Sequence, residues 1–378
     1  MWDAVVLGLG GVGAFALRAL AKRGVKAVGV EQFEPAHDRG SSHGETRVFR
    51  HAYFEHADYV PLLLHSTAEF RALGESVGRP LIEACGTLLV GERDCAVLAS
   101  AEAAARQHGI DVEGLGTDAL RARFPQFNVP DSHRGLFEPG GGFVRPEESI
   151  RAALEEAQRL GAELRTGVRV ERIEEGSGGV KLHTSSGELR ARRLIVTAGA
   201  WTAKLVPALA RRLRVSLQIQ AWITPPDPSL VDPARFPAWL IVRGDEPPLY
   251  GIPNDQRAPG AVRAKVALHG RREACDPDAP RRALTDDDIE ELLRVVRRWL
   301  PALGERVADA KSCLYTVTPD DHFVVDRVPG MDHVCCVAGL SGHGFKLTPA
   351  LGQAVAEVSL DGSSTLPVGF LTLARFSA

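Results

Sequence analysis

Four short stretches of this 378-residue chain hold side chains able to do chemistry. "GSSHGETRVFRHAYF", residues 40–54, gathers His43, Thr46, Arg47, Arg50 and His51. A guanidinium can clamp a carboxylate with two parallel N–H bonds, so anion binding is one use for this stretch. A surface loop with ordinary ion pairs is the other. "LYGIP" holds Tyr250, and "RAKVALHG" follows with Lys265 and His269. Strand alternation puts 265, 267 and 269 on one face, ammonium beside imidazole. Read alone, that face is an exposed strand surface with its polar residues turned outward. "KSCLYTVTPDDHFVVD" sets Cys313 and Tyr315 on one face of a strand, where the cysteine reads first as a small core residue. "GLSGHGFK", residues 339–346, brings His343 and Lys346 to the start of the last long helix. The positive dipole end there can face an anion, or the lysine can be solvated.

These residues lie far apart in the chain, so the elements that carry them decide whether they meet. The first is "LGLGGVGAFALRALAKRG", residues 7–24, in which Gly8, Gly10 and Gly13 fit G-x-G-x-x-G. The β-branched run "DAVVLGLG" suits a strand buried on both faces, Ala14–Arg23 has helical periodicity, and Gly24 suits a C-terminal cap. "KAVGVE" is then the second strand, ending at Glu31, 18 residues past Gly13. In such a unit the first glycine permits the tight turn. The second lets the backbone approach a pyrophosphate, and the third lets helix and strand pack closely. Glu31 would accept hydrogen bonds from ribose hydroxyls and repel a 2′-phosphate, which disfavours NADP. The agreement of strand, turn, helix, strand and acid points to a dinucleotide. NAD and FAD remain equally open on these residues.

Further along, a helix is expected from about Pro146 to Leu160 and a strand around Val168 to Ile173. A hairpin turning at Ser186-Gly187 and a buried strand from Leu194 to Thr197 follow. Residues 80–140 and 211–310 read as short strands, proline-rich turns and one amphipathic helix. That helix has Thr285 as N-cap, Asp288 three residues on and Pro301 beyond its end. Its stripe is Ile289, Leu292, Leu293, Val296 and Trp299. "HVCCVAG" would send Cys335 and Cys336 to opposite faces of a strand.

A formal net charge of −3 with 25% charged residues argues against nucleic acid as partner. The cluster Arg211, Arg212 and Arg214 is small and reads as a solvated turn. No apolar run approaches the roughly 20 residues of a membrane span. Asp3 stands where a signal peptide would be basic, so a cytoplasmic protein is expected. Six cysteines without metal-ligand spacing read as free thiols, and no metal is expected.

Together "SSHGETRVFRHAY", the Lys265/His269 pair, "CLYT" and "GLSGHGFK" resemble the monomeric sarcosine oxidase and N-methyltryptophan oxidase family. These are flavin enzymes of the D-amino-acid-oxidase superfamily, and the resemblance runs from the first glycine turn to the C-terminus. It implies a mixed α/β fold, with a Rossmann-like FAD-binding domain interleaved with a substrate domain on a mixed, mainly antiparallel sheet. Residues 1–79, 141–210 and 311–378 would form the first domain, and 80–140 and 211–310 the second. The family's thioether to FAD falls on Cys313. Its grip on the substrate carboxylate falls on Arg47 and Lys346, and its oxygen-activating lysine near flavin N5 on Lys265. Tyr250, His269, Tyr315 and His343 would line the substrate cavity, with His43, Thr46 and Arg50 beside the flavin. The remaining FAD contacts would fall on Gly8, Gly10, Gly11, Val12, Gly13, Glu31, Gln32, Ser42, Val170, Ala198, Gly199, Trp201, Gly342, Gly344, Phe345 and Lys346.

The implied activity is that of a monomeric oxidase taking sarcosine or a related N-methyl or secondary amino acid and O2. The products would be a primary amine, an aldehyde and hydrogen peroxide. L-Pipecolate and N-methyl-L-tryptophan are the competing substrates. A nicotinamide-dependent dehydrogenase and a non-catalytic flavin-binding protein are the competing classes. One departure stands out. Where the family has an Arg-Gln pair lining the sheet near the substrate, this chain reads "LQIQAWITPP".

Overall fold

The computed structural model describes residues 1–270, 273–279 and 282–376. Its first sheet has eight strands, running 170–176, 179–184, 187–196, 2–7, 27–30 and 163–165 along one path. Strand Val334–Ala338 pairs with the far half of Gly187–Val196 and with Val324–Arg327. The four strands that end on Leu7, Val30, Val196 and Ala338 run parallel, with Leu7 opposite both Val30 and Val196. Their C-terminal ends therefore form one edge, where open α/β sheets hold ligands.

Both faces of this sheet are covered, which is why its central strands are apolar throughout. Helices Gly11–Lys22, Tyr59–Ser76, Pro146–Arg159 and Thr348–Asp361 contribute to one core, and Val5, Leu7, Val28 and Val196 belong to another. Cys335 lies in the first core and Cys336 in the second, as alternation along the strand requires. Gly24 takes φ +69° just past the first helix, in the left-handed conformation expected of its cap. The hairpin turns at Ser185 and Ser186, one position earlier than expected, and Gly187 opens its second strand opposite Thr184. That strand is not separate from the buried one. Gly187–Val196 is continuous over ten residues.

The second sheet has nine strands in the order 273–274, 214–223, 264–268, 246–252, 238–243, 87–92, 133–138 and 113–115, with Val307–Val317 against 214–223. It is mixed and mainly antiparallel; strands 87–92 and 238–243 form its parallel pair. Strand Val307–Val317 runs across position 311, where a domain boundary was expected. Helix Asp286–Trp299 packs on one face through Leu292, Leu293, Val296 and Trp299. Its capping box is complete: Thr285 Oγ1 accepts from Asp288 N at 3.3 Å, and the Asp288 carboxylate accepts from Thr285 N at 2.9 Å.

Two helices in the 80–140 segment, Ala96–His108 and Thr117–Arg123, lack the signal that betrays the helix at 286. Their N-caps, Cys95 and Gly116, make no side-chain cap bond. Arg211, Arg212 and Arg214 are exposed, and among the described residues no helix is long and apolar enough to cross a membrane.

Candidate active site

A cavity of about 640 Å³ opens at the C-terminal edge of the first sheet. Its wall begins with Leu7, Gly8, Val30, Glu31, Thr197 and Ala338, and reaches Tyr250 and His269 of the second sheet. Its size is that of a cofactor site, roughly 300–1,000 Å³.

The dinucleotide end is built by the glycine turn. Gly8 has φ +90°, and a Cβ there would stand 2.7 Å from Thr197 O. A Cβ on Gly13 would come within 1.8 Å of Gly8 O, so helix and strand meet backbone to backbone. At Gly10 the nearest atom to such a Cβ is Ser42 Oγ at 3.7 Å, leaving the backbone open toward the cavity. Helix Gly11–Lys22 starts there with no acid in its first turn, so its positive dipole end can meet an anion without a carboxylate opposing it, although Gly11 N donates to Ser42 Oγ at 3.4 Å. Glu31 accepts from Leu9 N at 2.8 Å and Phe33 N at 3.1 Å and still lines the cavity. These residues fit the phosphates and ribose of a dinucleotide. Gln32, Ser42, Val170, Ala198, Gly199 and Trp201 join them on the wall.

The other end is built by residues 47–55 and 339–346. Arg50 lies over the Tyr53 ring at 4.4 Å and the Phe54 ring at 4.1 Å, and Lys346 Nζ stands 5.0 Å from the Tyr53 ring centre. Arg50 is thus the arginine that shares a ring with Lys346, whereas the expected partner of Lys346 was Arg47. Arg47 also lines the cavity, but its guanidinium donates to Ser41 O at 2.7 Å and Thr46 O at 2.8 Å. Residues 47–49 form a strand, and the chain turns out of it before Arg50, so the two arginines serve different parts of the wall.

Glu55 and Tyr53, which the sequence reading did not single out, complete the cluster. Arg50 donates to both Glu55 oxygens at 2.8 and 2.9 Å. Burial raises the Glu55 carboxyl, but Arg50, His343 and Lys346 outweigh it and hold it at about 2. Burial, reinforced by Arg50 and partly offset by Glu55, brings the Lys346 ammonium down to about 7. Lys346 donates to His343 O at 2.7 Å and Tyr53 Oη at 3.4 Å. Tyr53 in turn donates to His343 Nδ1 at 2.6 Å, and His343 Nε2 donates to Asp321 O at 3.0 Å. Burial pushes His343 down to about 3, so this imidazole is neutral, with its proton on Nε2.

His269 is likewise brought down to about 4 by burial, and it lies 3.2 Å from Tyr315 Oη. Tyr315 and Tyr250 are hydrogen-bonded; burial raises Tyr250 to about 12 and Tyr315 well above the ordinary value. Tyr250, His269, Tyr315 and His343 all line the cavity, with Gly342, Gly344 and Phe345 beside them.

Five expected site residues, Gly13, His43, Thr46, Lys265 and Cys313, are not part of the wall. Lys265 is 2% exposed, so the outward-facing strand surface read from alternation is overturned. Its ammonium donates to Gly44 O at 2.9 Å and to Thr46 O, behind the wall, while His269 lies on it. Lys265 and His269 therefore serve different surroundings. Cys313 is buried two residues before Tyr315 on one strand face, opposite Gln218. His43 and Thr46 are buried within the same loop. The departing segment is resolved by register. Ala221 and Ile223 face a core, while Trp222 pairs with Lys265 and Gln218 with Cys313 on the site face.

Comparisons with known proteins place the chain in a family. A family model described as FAD dependent oxidoreductase matches residues 3–358. The chain is 34% identical over 379 aligned positions to a monomeric sarcosine oxidase of Streptomyces avermitilis, spanning 100% of this chain and 98% of that protein. It is 31% identical over 377 positions to an N-methyl-L-tryptophan oxidase of Yersinia pestis, spanning 99% of each. Among solved structures it superposes on NikD, an unusual amino acid oxidase essential for nikkomycin biosynthesis, with TM-score 0.84 and 23% identity over 98% and 97% of the chains. L-Proline dehydrogenase from P. horikoshii gives TM-score 0.83 at 18% identity, over 100% and 98% of the chains.

Proposed function

The chain belongs to the FAD dependent oxidoreductase family, and from that membership we propose that it oxidises a secondary amino acid, sarcosine or another N-methyl amino acid. The observation that carries this reading is the cation pair Arg50 and Lys346 over Tyr53, set beside neutral His343 and His269 at the far end of a dinucleotide cavity.

Bound along the glycine turn and Glu31, FAD supplies a two-electron acceptor for the substrate C–N bond, and O2 takes the electrons on to hydrogen peroxide. The resulting imine hydrolyses to a primary amine and an aldehyde. The chain's own part is to bind and orient. Arg50 and Lys346 together outweigh the single charge of Glu55, so this end of the cavity attracts a carboxylate. Fixing that carboxylate positions the amine and converts orientation entropy into rate. Neutral imidazoles at 343 and 269 add no charge to repel an amine. Phe54, Leu240, Tyr250 and Tyr315 supply the apolar and aromatic wall that excludes water.

Lys265 is assigned to oxygen reactivity, as a buried cation close to Arg47 and Cys313. Cys313 is assigned the covalent link to FAD from the family resemblance, two residues from Tyr315 of the wall on the same strand face. The division into residues 1–79, 141–210 and 311–378 for cofactor and 80–140 and 211–310 for substrate goes with this reading, as does a monomer in the cytoplasm.

Anaerobic titration of the visible spectrum with sarcosine, N-methyl-L-tryptophan and L-pipecolate tests the proposal, paired with peroxide release in air. Bleaching by one of them, with stoichiometric peroxide, is expected. A chain without flavin absorbance, or a flavin spectrum that none of the three alters, overturns it.

A further inference from the structure

The hydrogen bonds that hold Lys265 go to backbone. Its ammonium donates to two backbone carbonyls of one loop, Gly44 O and Thr46 O. The Thr46 carbonyl also accepts from Arg47, so two cations share one acceptor. Something must aim these carbonyls inward and offset the like charges. The other side of the same loop shows what does so. Glu147 Oε1 accepts from Gly44 N at 2.6 Å and from Glu45 N at 3.1 Å. The Glu45 N–H and the Gly44 C=O belong to a single peptide unit. One peptide therefore links the carboxylate to the ammonium, its N–H on Glu147 and its carbonyl on Lys265.

The backbone is bent to allow this. Gly44 has φ +100° and Glu45 φ +71°, the latter unusual for a residue with a side chain. The Gly44 backbone packs so closely on the Gln220 side chain that a Cβ there would meet it at 2.4 Å. Glu147 itself sits in the first turn of helix Pro146–Arg159, where the helix dipole favours its negative charge.

We propose that Glu147 is a positioning residue for Lys265, acting through the peptide between Gly44 and Glu45. The proposal rests on the assignment of Lys265 to oxygen reactivity only for its consequence, not for its geometry. The charged and titratable groups around Lys265 are Arg47 and Glu45 from the loop, Glu147 from the helix, and Cys313 from strand Val307–Val317, beyond strand 214–223. Arg263, paired with Glu45 at 2.5 Å, lies across the Trp222 ring, which also faces Lys265 and Lys311. Burial and then Arg47 push the Lys265 ammonium well below its ordinary range, and Glu147 is the largest influence opposing them. Glu45 is already engaged by Arg263. Removing the Glu147 charge must therefore disfavour the protonated amine.

The test uses the holoenzyme labelled with 13C-lysine. The chain has seven lysines, so the Lys265 Cε signal is assignable by its loss in Lys265→Met. In Glu147→Gln the Lys265 titration is expected to move to lower pH, with those of Lys22, Lys26 and Lys181 unchanged. Glu45→Gln, which removes a carboxylate outside the peptide link, is expected to move it less. In parallel, the rate of reoxidation by O2 after chemical reduction is expected to fall severalfold at neutral pH in Glu147→Gln and to recover on acidification. An unmoved Lys265 titration in Glu147→Gln, or an equal shift in Glu45→Gln, overturns the proposal. Unchanged reoxidation in Lys265→Met would instead refute the oxygen assignment, leaving the lysine titration to judge the peptide link.

Discussion

With the proposed carboxylate grip, the low titration of Lys346 is expected to make binding pH-dependent in a manner that one substitution removes. At this end of the cavity Glu55 is ionised from about 2 upward, and His343 and His269 are neutral above about 3 and 4. Lys346, brought to about 7 by burial and Arg50, is the wall group here that changes charge near neutrality. An anionic ligand requires its ammonium form. Below about 7 the proton is already present and the dissociation constant is flat. Above it the ligand must bind together with a proton, so Kd rises about tenfold for each further pH step of one. Between pH ~7 and ~9 that amounts to about fiftyfold, or ~2.3 kcal/mol.

Lys346→Met keeps the volume and removes the charge. It flattens the profile and weakens binding at neutral pH by about 2–5 kcal/mol, the usual cost of truncating one partner of a buried charge pair. The assay is a visible-spectrum titration of the oxidised holoenzyme with a non-oxidisable carboxylate such as propionate, at several pH values from about 6 to 9. A flat wild-type profile, or a methionine variant that keeps the slope, refutes the reasoning. The same lysine has a consequence for stability of opposite sign. Its folded titration lies below the unfolded one, so the unfolded chain holds the extra proton. Stability from this group is therefore smallest below about 7 and recovers as pH rises toward 10.5. Lys346→Met is expected to raise the neutral-pH Tm while abolishing the anion grip.

Four other outcomes are expected. Gly13→Ala, whose Cβ would lie 1.8 Å from Gly8 O, should yield protein without flavin, read from the ratio of visible to ultraviolet absorbance. Glu138→Ala strips the partner from His51 N, Ala52 N and His51 Nδ1 just beyond Arg50. It should cost about 3–5 kcal/mol in urea unfolding, the range for a broken buried charge network. Thr285→Ala removes a cap remote from the cavity and should cost about 1 kcal/mol with activity unchanged. Cys313→Ala should release flavin into the supernatant on acid precipitation, whereas the unmodified chain should keep its colour in the pellet; flavin that leaves both equally contradicts a covalent link.

Local rules were legible without coordinates. The glycine turn, the acid at Glu31, the capping box at Thr285, the hairpin near Ser186 and the opposite facing of Cys335 and Cys336 each depend on residues a few positions apart. Helical and strand periodicity decides them before any tertiary contact forms. Helix 96–108 was missed for the same reason in reverse, because nothing in its N-cap announces it.

The active-site pairings belong to a different scale. Tyr53 meets His343 across 290 positions, and Lys265 meets Gly44 across 221. Which arginine faces Lys346 turns on where the short strand at 47–49 ends, and no spacing rule states that. Whether Lys265 is solvated or buried depends on a loop folding over its strand, since alternation alone fits both outcomes. The sequence by itself determined the dinucleotide site, because its chemistry is written in adjacent residues. Only tertiary packing decided the far end of the cavity, because there burial and like charge from distant segments set both position and protonation.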